Sequence, residues 1–151
     1  SYEAFIKASK DAGANGALLV DLPPEAAEDY CRLAKSAGFE TVFLSSPTTS
    51  EERLKLIDAC STGFVYYVSR EGVTGAKQDL PQQLADRLAS LRRTLTNPLA
   101  VGFGISTPEQ VRQLAGKADG IVVGSALVKI IEENPANAPE AVAAKFRALK
   151  A

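Results

Sequence analysis

The chain has 151 residues, which is the length of one domain, and its 17 basic and 18 acidic residues nearly cancel. Because the charges are scattered and form no basic stripe, the composition argues against nucleic acid as a main partner. No apolar stretch approaches the roughly 20 residues of a membrane span and no signal-peptide pattern is visible, so we expect no membrane partner and a cytoplasmic location. Histidine is absent, which excludes Ser-His-Asp and Cys-His nucleophiles and argues against a zinc site.

The predicted elements alternate between helix and strand from the first residues onward. The chain opens in a helical pattern whose inner stripe is predicted to be Phe5, Ala8 and Ala12. Continuous apolar runs then predict five strands buried on both faces, at residues 16–20, 41–44, 64–68, 99–101 and 121–123. Later helices repeat apolar residues at helical spacing, as in Leu84, Leu88, Leu91 and in Val142, Phe146, Leu149. This strict alternation predicts a parallel sheet with right-handed crossovers.

Several helix boundaries and both cysteines have local signals. Thr49 with Glu52 and Ser106 with Glu109 have the spacing of a capping box. Pro108 suits a first helical turn, and Gly38 stands where a helix should end. The two cysteines fall within predicted helices, so we expect free thiols rather than a disulfide at Cys31 and Cys60.

The number of units sets the fold class. One opening helix and five strand-helix units fit within 151 residues, whereas a closed eight-stranded barrel needs roughly 250 residues. We therefore predict an α/β fold of the (β/α)8 TIM-barrel type, with only about five units present, as a single domain over residues 1–151. About three units would then precede residue 1.

Glycines mark the ends of the last three predicted strands: residues 72–75 follow the third, residues 102–106 end the fourth, and residues 120–125 form the fifth and lead into a helix. A glycine lets an anion approach the backbone, and the N–H groups that open the next helix then face that anion. One such turn alone is as typical of a tight connection without a ligand. Three turns at one edge of the sheet indicate a phosphate site, bound by backbone dipoles because no lysine lies at these strand ends. Its residues are Gly75, Gly104, Gly124 and Ser125.

A long connection follows the third strand, over residues 69–79. Connections of this kind usually have two to six residues, so the length favours a lid, although a simple surface excursion fits the length as well. Arg70 could contribute a charged contact to a phosphate or to a neighbouring residue.

Carboxylates are the remaining candidates for proton transfer. Asp21 ends the first strand, but the interpretation we favour is that it caps the N–H groups of the next helix. Glu71 adjoins Arg70 in the long connection, where a solvated charge is the ordinary case. Neither residue is therefore predicted to be catalytic.

Four strings of residues carry a resemblance to a known family. They are Val-Asp-Leu-Pro-Pro-Glu at 20–25, Tyr-Tyr-Val-Ser-Arg-Glu-Gly-Val-Thr-Gly-Ala at 66–76, Val-Gly-Phe-Gly-Ile-Ser at 101–106 and Gly-Ser-Ala-Leu-Val at 124–128. In this order and spacing, the chain resembles the C-terminal part of the tryptophan synthase alpha subunit family over nearly its whole length. The resemblance implies a (β/α)8 lyase of tryptophan biosynthesis that cleaves indole-3-glycerol phosphate to indole and glyceraldehyde 3-phosphate. It also implies no metal and no cofactor of its own, because pyridoxal phosphate belongs to the partner beta subunit that receives the indole.

The resemblance assigns site residues position by position. The family's phosphate site falls on the four residues that the glycine turns indicate, Gly75, Gly104, Gly124 and Ser125. The indole-glycerol pocket falls on Leu18, Val20, Leu44, Tyr66, Thr74, Phe103 and Val122, which are apolar or aromatic apart from one hydroxyl. Val20 departs slightly from the family, where Pro or Ala is common. Arg70 and Thr74 correspond to the closing loop.

Catalysis is where the chain and the family pattern differ most. The family's proton-transferring glutamate and aspartate belong to a segment before the one that this sequence matches, so no catalytic residue is assigned here and the isolated chain is predicted to be inactive. The alternative is a noncatalytic half-barrel or self-associating scaffold that keeps a phosphate site. Either way, the strands at 16–20 and 121–123 would be unprotected edges, to be paired with an N-terminal half or a second copy. Another phosphate-binding barrel, such as a phosphoribosyl isomerase or thiamine phosphate synthase, does not explain residues 69–75.

Overall fold

The computed structural model describes residues 1–69, 82–102 and 104–150. Its strands are β1 (Gly16–Leu18), β2 (Glu40–Ser45), β3 (Phe64–Val68), β4 (Leu99–Gly102) and β5 (Gly120–Val122). Its helices are α1 (Tyr2–Asp11), α2 (Glu28–Ser36), α3 (Glu51–Cys60), α4 (Gln82–Thr94), α5 (Pro108–Leu114), α6 (Ser125–Glu133) and α7 (Ala138–Lys150), with a 3₁₀ turn at Pro24–Ala26. All five predicted strands are present, within one or two residues of their predicted ends.

The strands form one parallel sheet in the order β1-β2-β3-β4-β5. Each strand therefore pairs with the next strand along the chain, and a helix makes each crossover, as in an α/β barrel. Strands β1 and β5 are the edges of this sheet, as the sequence predicts. The fold is a partial barrel of the (β/α)8 type.

Helices cover one face of the sheet and form the core with it. Tyr67, Leu99 and Val101 from the central strands pack against the inner stripe of α4, which is Leu84, Leu88 and Leu91. A second cluster joins Phe43 and Val65 to α2 and α3.

Burial alternates along the central strand. In β3 the outward residues Val65 and Tyr67 are buried, whereas Phe64, Tyr66 and Val68 are only half-buried. The prediction that the strands are buried on both faces is therefore wrong for β3, whereas all four residues of β4 are buried. The second face of the sheet is the concave one, and its residues Leu44, Tyr66 and Val122 belong to neither of the two helix-packed clusters.

The residues of α1 that face the core are not the predicted ones. Ile6 is the buried residue of α1, with 3% of its surface exposed, whereas Phe5 is 38% exposed and Ala8 and Ala12 are exposed. Phe5 keeps one aromatic contact, an edge-on packing against Phe39. The predicted stripe is wrong because the alanines in it have too little apolar surface to direct the helix, and Ile6 buries more.

At both predicted capping boxes the residue that caps the helix lies one position later than predicted, and only α5 has a capping box. Ser50, not Thr49, accepts the hydrogen bond from the Arg53 N–H at the start of α3. The capping box of α5 is Thr107 with Gln110, not Ser106 with Glu109. Each helix start has two adjacent hydroxyl residues, so the sequence pattern locates the start of the helix but does not determine which of the two is the N-cap. Pro108 does lie in the first turn of α5, as predicted.

Gly38 ends α2 as predicted. Its φ is +60°, and the Phe39 N–H donates to the Ala34 carbonyl over 2.9 Å, which closes the helix end.

Candidate functional site

The carboxyl ends of β4 and β5 bring two of the predicted phosphate residues to one edge. Gly102 pairs in register with Val122, and Gly104 and Gly124 each follow that pair by two residues. Gly104 has a φ of +44°, a conformation that favours glycine. The two turns therefore leave adjacent strands side by side and at the same level.

Helix α6 opens directly at this edge. Gly124 is its N-cap residue, Ser125 is its first residue, and its first turn contains no acidic side chain. The first N–H groups of a helix have no partner within that helix, and the helix dipole places positive charge there. An added Cβ at Gly124 would meet no atom within 4 Å, so the space beside this N-cap residue is open. This end of α6 has the features of an anion site.

Helix α5, by contrast, satisfies its own N-terminus. The Gln110 side-chain oxygen accepts from the N–H groups of Ser106 and Thr107, at 2.8 and 3.1 Å, and the Gln110 N–H donates to the Thr107 hydroxyl. An anion at this edge would therefore be bound by the α6 terminus and the Gly104 turn.

Four of the predicted pocket residues share one face of the sheet. Leu44 pairs in register with Tyr66, and both have the opposite parity to Phe43 and Tyr67, which face the helices. The pairings along the sheet place Leu18 and Val122 on the same concave face. Val20 follows the end of β1 and is 70% exposed.

Tyr66 requires the glycine that faces it on the next strand. A Cβ added to Gly102 would overlap the Tyr66 ring, its hydroxyl oxygen first. The aromatic ring therefore lies across β4 where that strand has no side chain. This contact holds the one described aromatic member of the predicted pocket close to the Gly104 turn.

A crevice of about 560 Å³ opens at the carboxyl ends of β1 and β2. Val20 and Leu44 line it, together with Asp21, Ser45 and Arg53. The Asp21 side chain caps neither the 3₁₀ turn nor α2, whose N-cap residues are Pro23 and Ala27 with no side-chain hydrogen bond. The capping interpretation of Asp21 is therefore wrong, and its exposed carboxylate lies at the rim of the crevice.

Several predicted site residues lie outside the described residues. They are Arg70, Thr74, Gly75 and Phe103, and Glu71 and most of the predicted lid connection over 69–79 lie there too. Among residues 1–69, 82–102 and 104–150 no group of three or more metal-ligating side chains occurs. Nor is any helix in those ranges long and apolar enough to cross a membrane.

Both cysteines are free, as predicted, and lie within helices α2 and α3. They are half-buried, and the Cys31 thiol lies 3.7 Å from the Cys60 carbonyl oxygen. Burial, and then the neighbouring Cys60, raises the pKa of Cys31 to about 12. This thiol is therefore protonated at neutral pH and is not an activated nucleophile.

Two polar side chains at the glycine edge are missing from the sequence-based site. Gln110 could have been found, because Thr107 and Gln110 have the spacing of a capping box. Lys145 could not, since it lies 39 residues beyond Ser106, whose carbonyl its ammonium group reaches at 2.7 Å. No local pattern links residues so far apart.

The fold defines a class: part of a (β/α) barrel, with a candidate anion site at the start of α6. The family described as the tryptophan synthase alpha chain matches residues 1–151. The alpha chain of Opitutus terrae is 45% identical over 147 residues, covering 97% of this chain and 55% of that protein. The Pyrococcus abyssi alpha chain is 46% identical, covering 96% and 59%. In a structure of the Pyrococcus furiosus tryptophan synthase α2β2 complex, a chain with 44% identity superposes with a TM-score of 0.91, covering 99% of this chain and 60% of that one.

The chain belongs to the tryptophan synthase alpha chain family. It spans 55 to 60% of the length of these relatives.

Proposed function

We propose that the chain supplies the phosphate-binding and indole-binding part of a lyase that cleaves indole-3-glycerol phosphate to indole and glyceraldehyde 3-phosphate. The observation that carries the proposal is the open N-terminus of α6 at Gly124 and Ser125, beside the Gly104 turn. This backbone site suits the phosphate of the substrate. The concave apolar face with Leu44, Tyr66 and Val122 suits its indole ring.

The proposal assigns no catalytic residue to this chain. Protonating the indole and removing the glycerol proton require an acid and a base. The resemblance places the family's glutamate and aspartate in a segment that this sequence does not match. The match covers 59% of the Pyrococcus abyssi protein. Turnover then depends on a segment equivalent to the part of that protein that this chain does not match.

We propose further that the indole passes to a beta subunit carrying pyridoxal phosphate, and that the reaction takes place in the cytoplasm without a cofactor or metal on this chain. Membership in the alpha chain family supports this assignment. The α2β2 complex of the similar Pyrococcus furiosus protein supports the partner.

The test combines the chain with the unmatched segment of the Pyrococcus abyssi alpha chain, in trans or fused. Indole release from indole-3-glycerol phosphate is measured for the chain, for the segment and for both together. We expect indole only from the combination, because one missing acid or base group reduces the rate by roughly 10² to 10⁴.

Two other outcomes are informative. Normal turnover by the chain alone would assign the proton transfer to a carboxylate of this chain, with Asp21 as the first candidate. Stable association without turnover would favour the noncatalytic scaffold, for which the two free sheet edges are the supporting observation.

A further inference from the structure

We propose that Lys145 is a positioning residue of the phosphate site, holding the turn between β4 and α5 by its backbone. This inference rests on the proposed phosphate site at the α6 terminus. It adds a residue from the last helix, which the family resemblance did not assign.

The first observation is a hydrogen bond between distant parts of the chain. The Lys145 ammonium group, on α7, donates to the Ser106 carbonyl oxygen at 2.7 Å, and the contact is partly buried. A charge-assisted hydrogen bond of this kind is roughly twice as strong as a neutral one. Lys145 thus connects the last helix to the turn that begins at Gly104.

The second observation is that Ser106 is held from both sides. Its N–H donates to the Gln110 side-chain oxygen at 2.8 Å, while its carbonyl accepts from Lys145. Gly104, two residues earlier, has a positive φ and no side chain to anchor it. The two hydrogen bonds to Ser106, together with the buried Ile105, therefore hold the backbone that follows this glycine.

The third observation concerns charge. Lys145 forms no ion pair with any carboxylate among the described residues. Its positive charge therefore stays uncompensated beside the turn, where an anion bound at the α6 terminus would benefit from it. From the sequence we expect backbone dipoles to bind the anion, because no lysine lies at the strand ends. Lys145 lies far from those ends along the chain but reaches Ser106 in the fold, so the proposal adds a lysine to the backbone dipoles.

The test compares Lys145→Met with Lys150→Met in the full chain. Both variants remove one positive charge from α7, but Lys150 lies over the Phe146 ring and makes no hydrogen bond with the turn. Dissociation constants for inorganic phosphate are measured from backbone amide shifts at constant ionic strength. Amide hydrogen exchange is followed at Ser106 and Thr107.

We expect Lys145→Met to weaken phosphate binding roughly 10-fold, the effect of losing one charged hydrogen bond, and to speed amide exchange in the turn. Lys150→Met should change neither quantity. Lys145→Arg should restore both, since a guanidinium can donate to the same carbonyl.

If the wild type binds phosphate and Lys145→Met binds it equally well, the role of Lys145 is overturned and the phosphate site stands. Faster exchange with unchanged affinity would show that Lys145 only stabilises the turn, which also contradicts the proposal. If the wild type binds no phosphate near Gly124, the proposed function fails first and this inference fails with it.

Discussion

Gly104 and Gly124 are both glycines at strand ends, but the structure requires them for different reasons. Gly104 has a φ of +44°, which a residue with a Cβ adopts at a cost of roughly 1 to 2 kcal/mol. Gly124 has a negative φ, and a Cβ there would meet open space. The first glycine is explained by its backbone conformation, and the second by the phosphate site that we propose.

We therefore predict opposite effects from two matched substitutions. Gly104→Ala should lower the free energy of unfolding by about 1 kcal/mol. Gly124→Ala should leave stability within roughly 0.5 kcal/mol of the wild type. We expect it to weaken phosphate binding, because its methyl group would enter the open space at the N-cap of α6. Urea unfolding and phosphate titration of both variants check this. Equal phosphate affinity for Gly124→Ala and the wild type would contradict the site.

Some residues of the candidate site could be predicted from the sequence and others could not. The glycine turns and Ser125 could be predicted, because strand ends, glycines and helix starts are local features of the sequence. Lys145 could not, since it reaches Ser106 only after α7 has packed against the fold. The capping role assigned to Asp21 was wrong because its neighbours Pro23 and Pro24 start a 3₁₀ turn before α2 begins.

Among the elements, one buried carboxylate connects α3 to the segment that leads into β4. Asp58 near the end of α3 accepts hydrogen bonds from the backbone N–H groups of Thr96 and Asn97 and from both of their side chains. Burial alone would raise the pKa of Asp58, but the hydrogen bonds from Thr96 and Asn97 outweigh it and lower the pKa below its ordinary value of 3.8. The chain is thereby directed into β4 at a fixed point.

We predict that Asp58→Asn destabilises the fold by about 3 kcal/mol at pH 7, because an amide group would face N–H donors that now have a charged acceptor. A lowered pKa in the folded state means that the carboxylate's contribution is present above pH 3.8 and is lost as the pH falls through the folded pKa. The gap between variant and wild type should therefore shrink in acid.

Urea unfolding at pH 7 and pH 3 measures that gap. Asp86→Asn is the matched control, because Asp86 is exposed and accepts one hydrogen bond, from Gln82. A gap that is the same at both pH values would contradict the role of the Asp58 charge.

At this scale the sequence is a better guide to elements than to their faces. Five strands and their order could be predicted because runs such as residues 64–68 are apolar throughout. Which residues face the helices could not, since Phe64 and Val65 are equally apolar and only the packing of α4 and α3 distinguishes them.

For the whole molecule, the two sheet edges are the main consequence of the architecture. Neither β1 (Gly16–Leu18) nor β5 (Gly120–Val122) contains the lysine or proline that commonly protects an exposed edge. We predict that the 151-residue chain pairs with a second copy when purified alone. Adding the unmatched Pyrococcus abyssi segment should convert that species to a one-to-one complex.

Light scattering with size-exclusion chromatography gives the masses, and amide exchange shows whether β1 and β5 are protected. A well-dispersed monomer whose two edge strands exchange rapidly would show that the edges need no partner.

The sequential strand order also bears on how the chain is made. Each strand after β1 pairs with the described strand synthesised just before it, and the widest pairings, those of β3 with β4, join residues such as Tyr66 and Ala100. A ribosome releases the chain from its N-terminus at about 5 to 20 residues per second, which is slow compared with local folding. Each strand after β1 thus emerges next to a template already in place, and the sheet can grow during translation, with β5 as its last described strand.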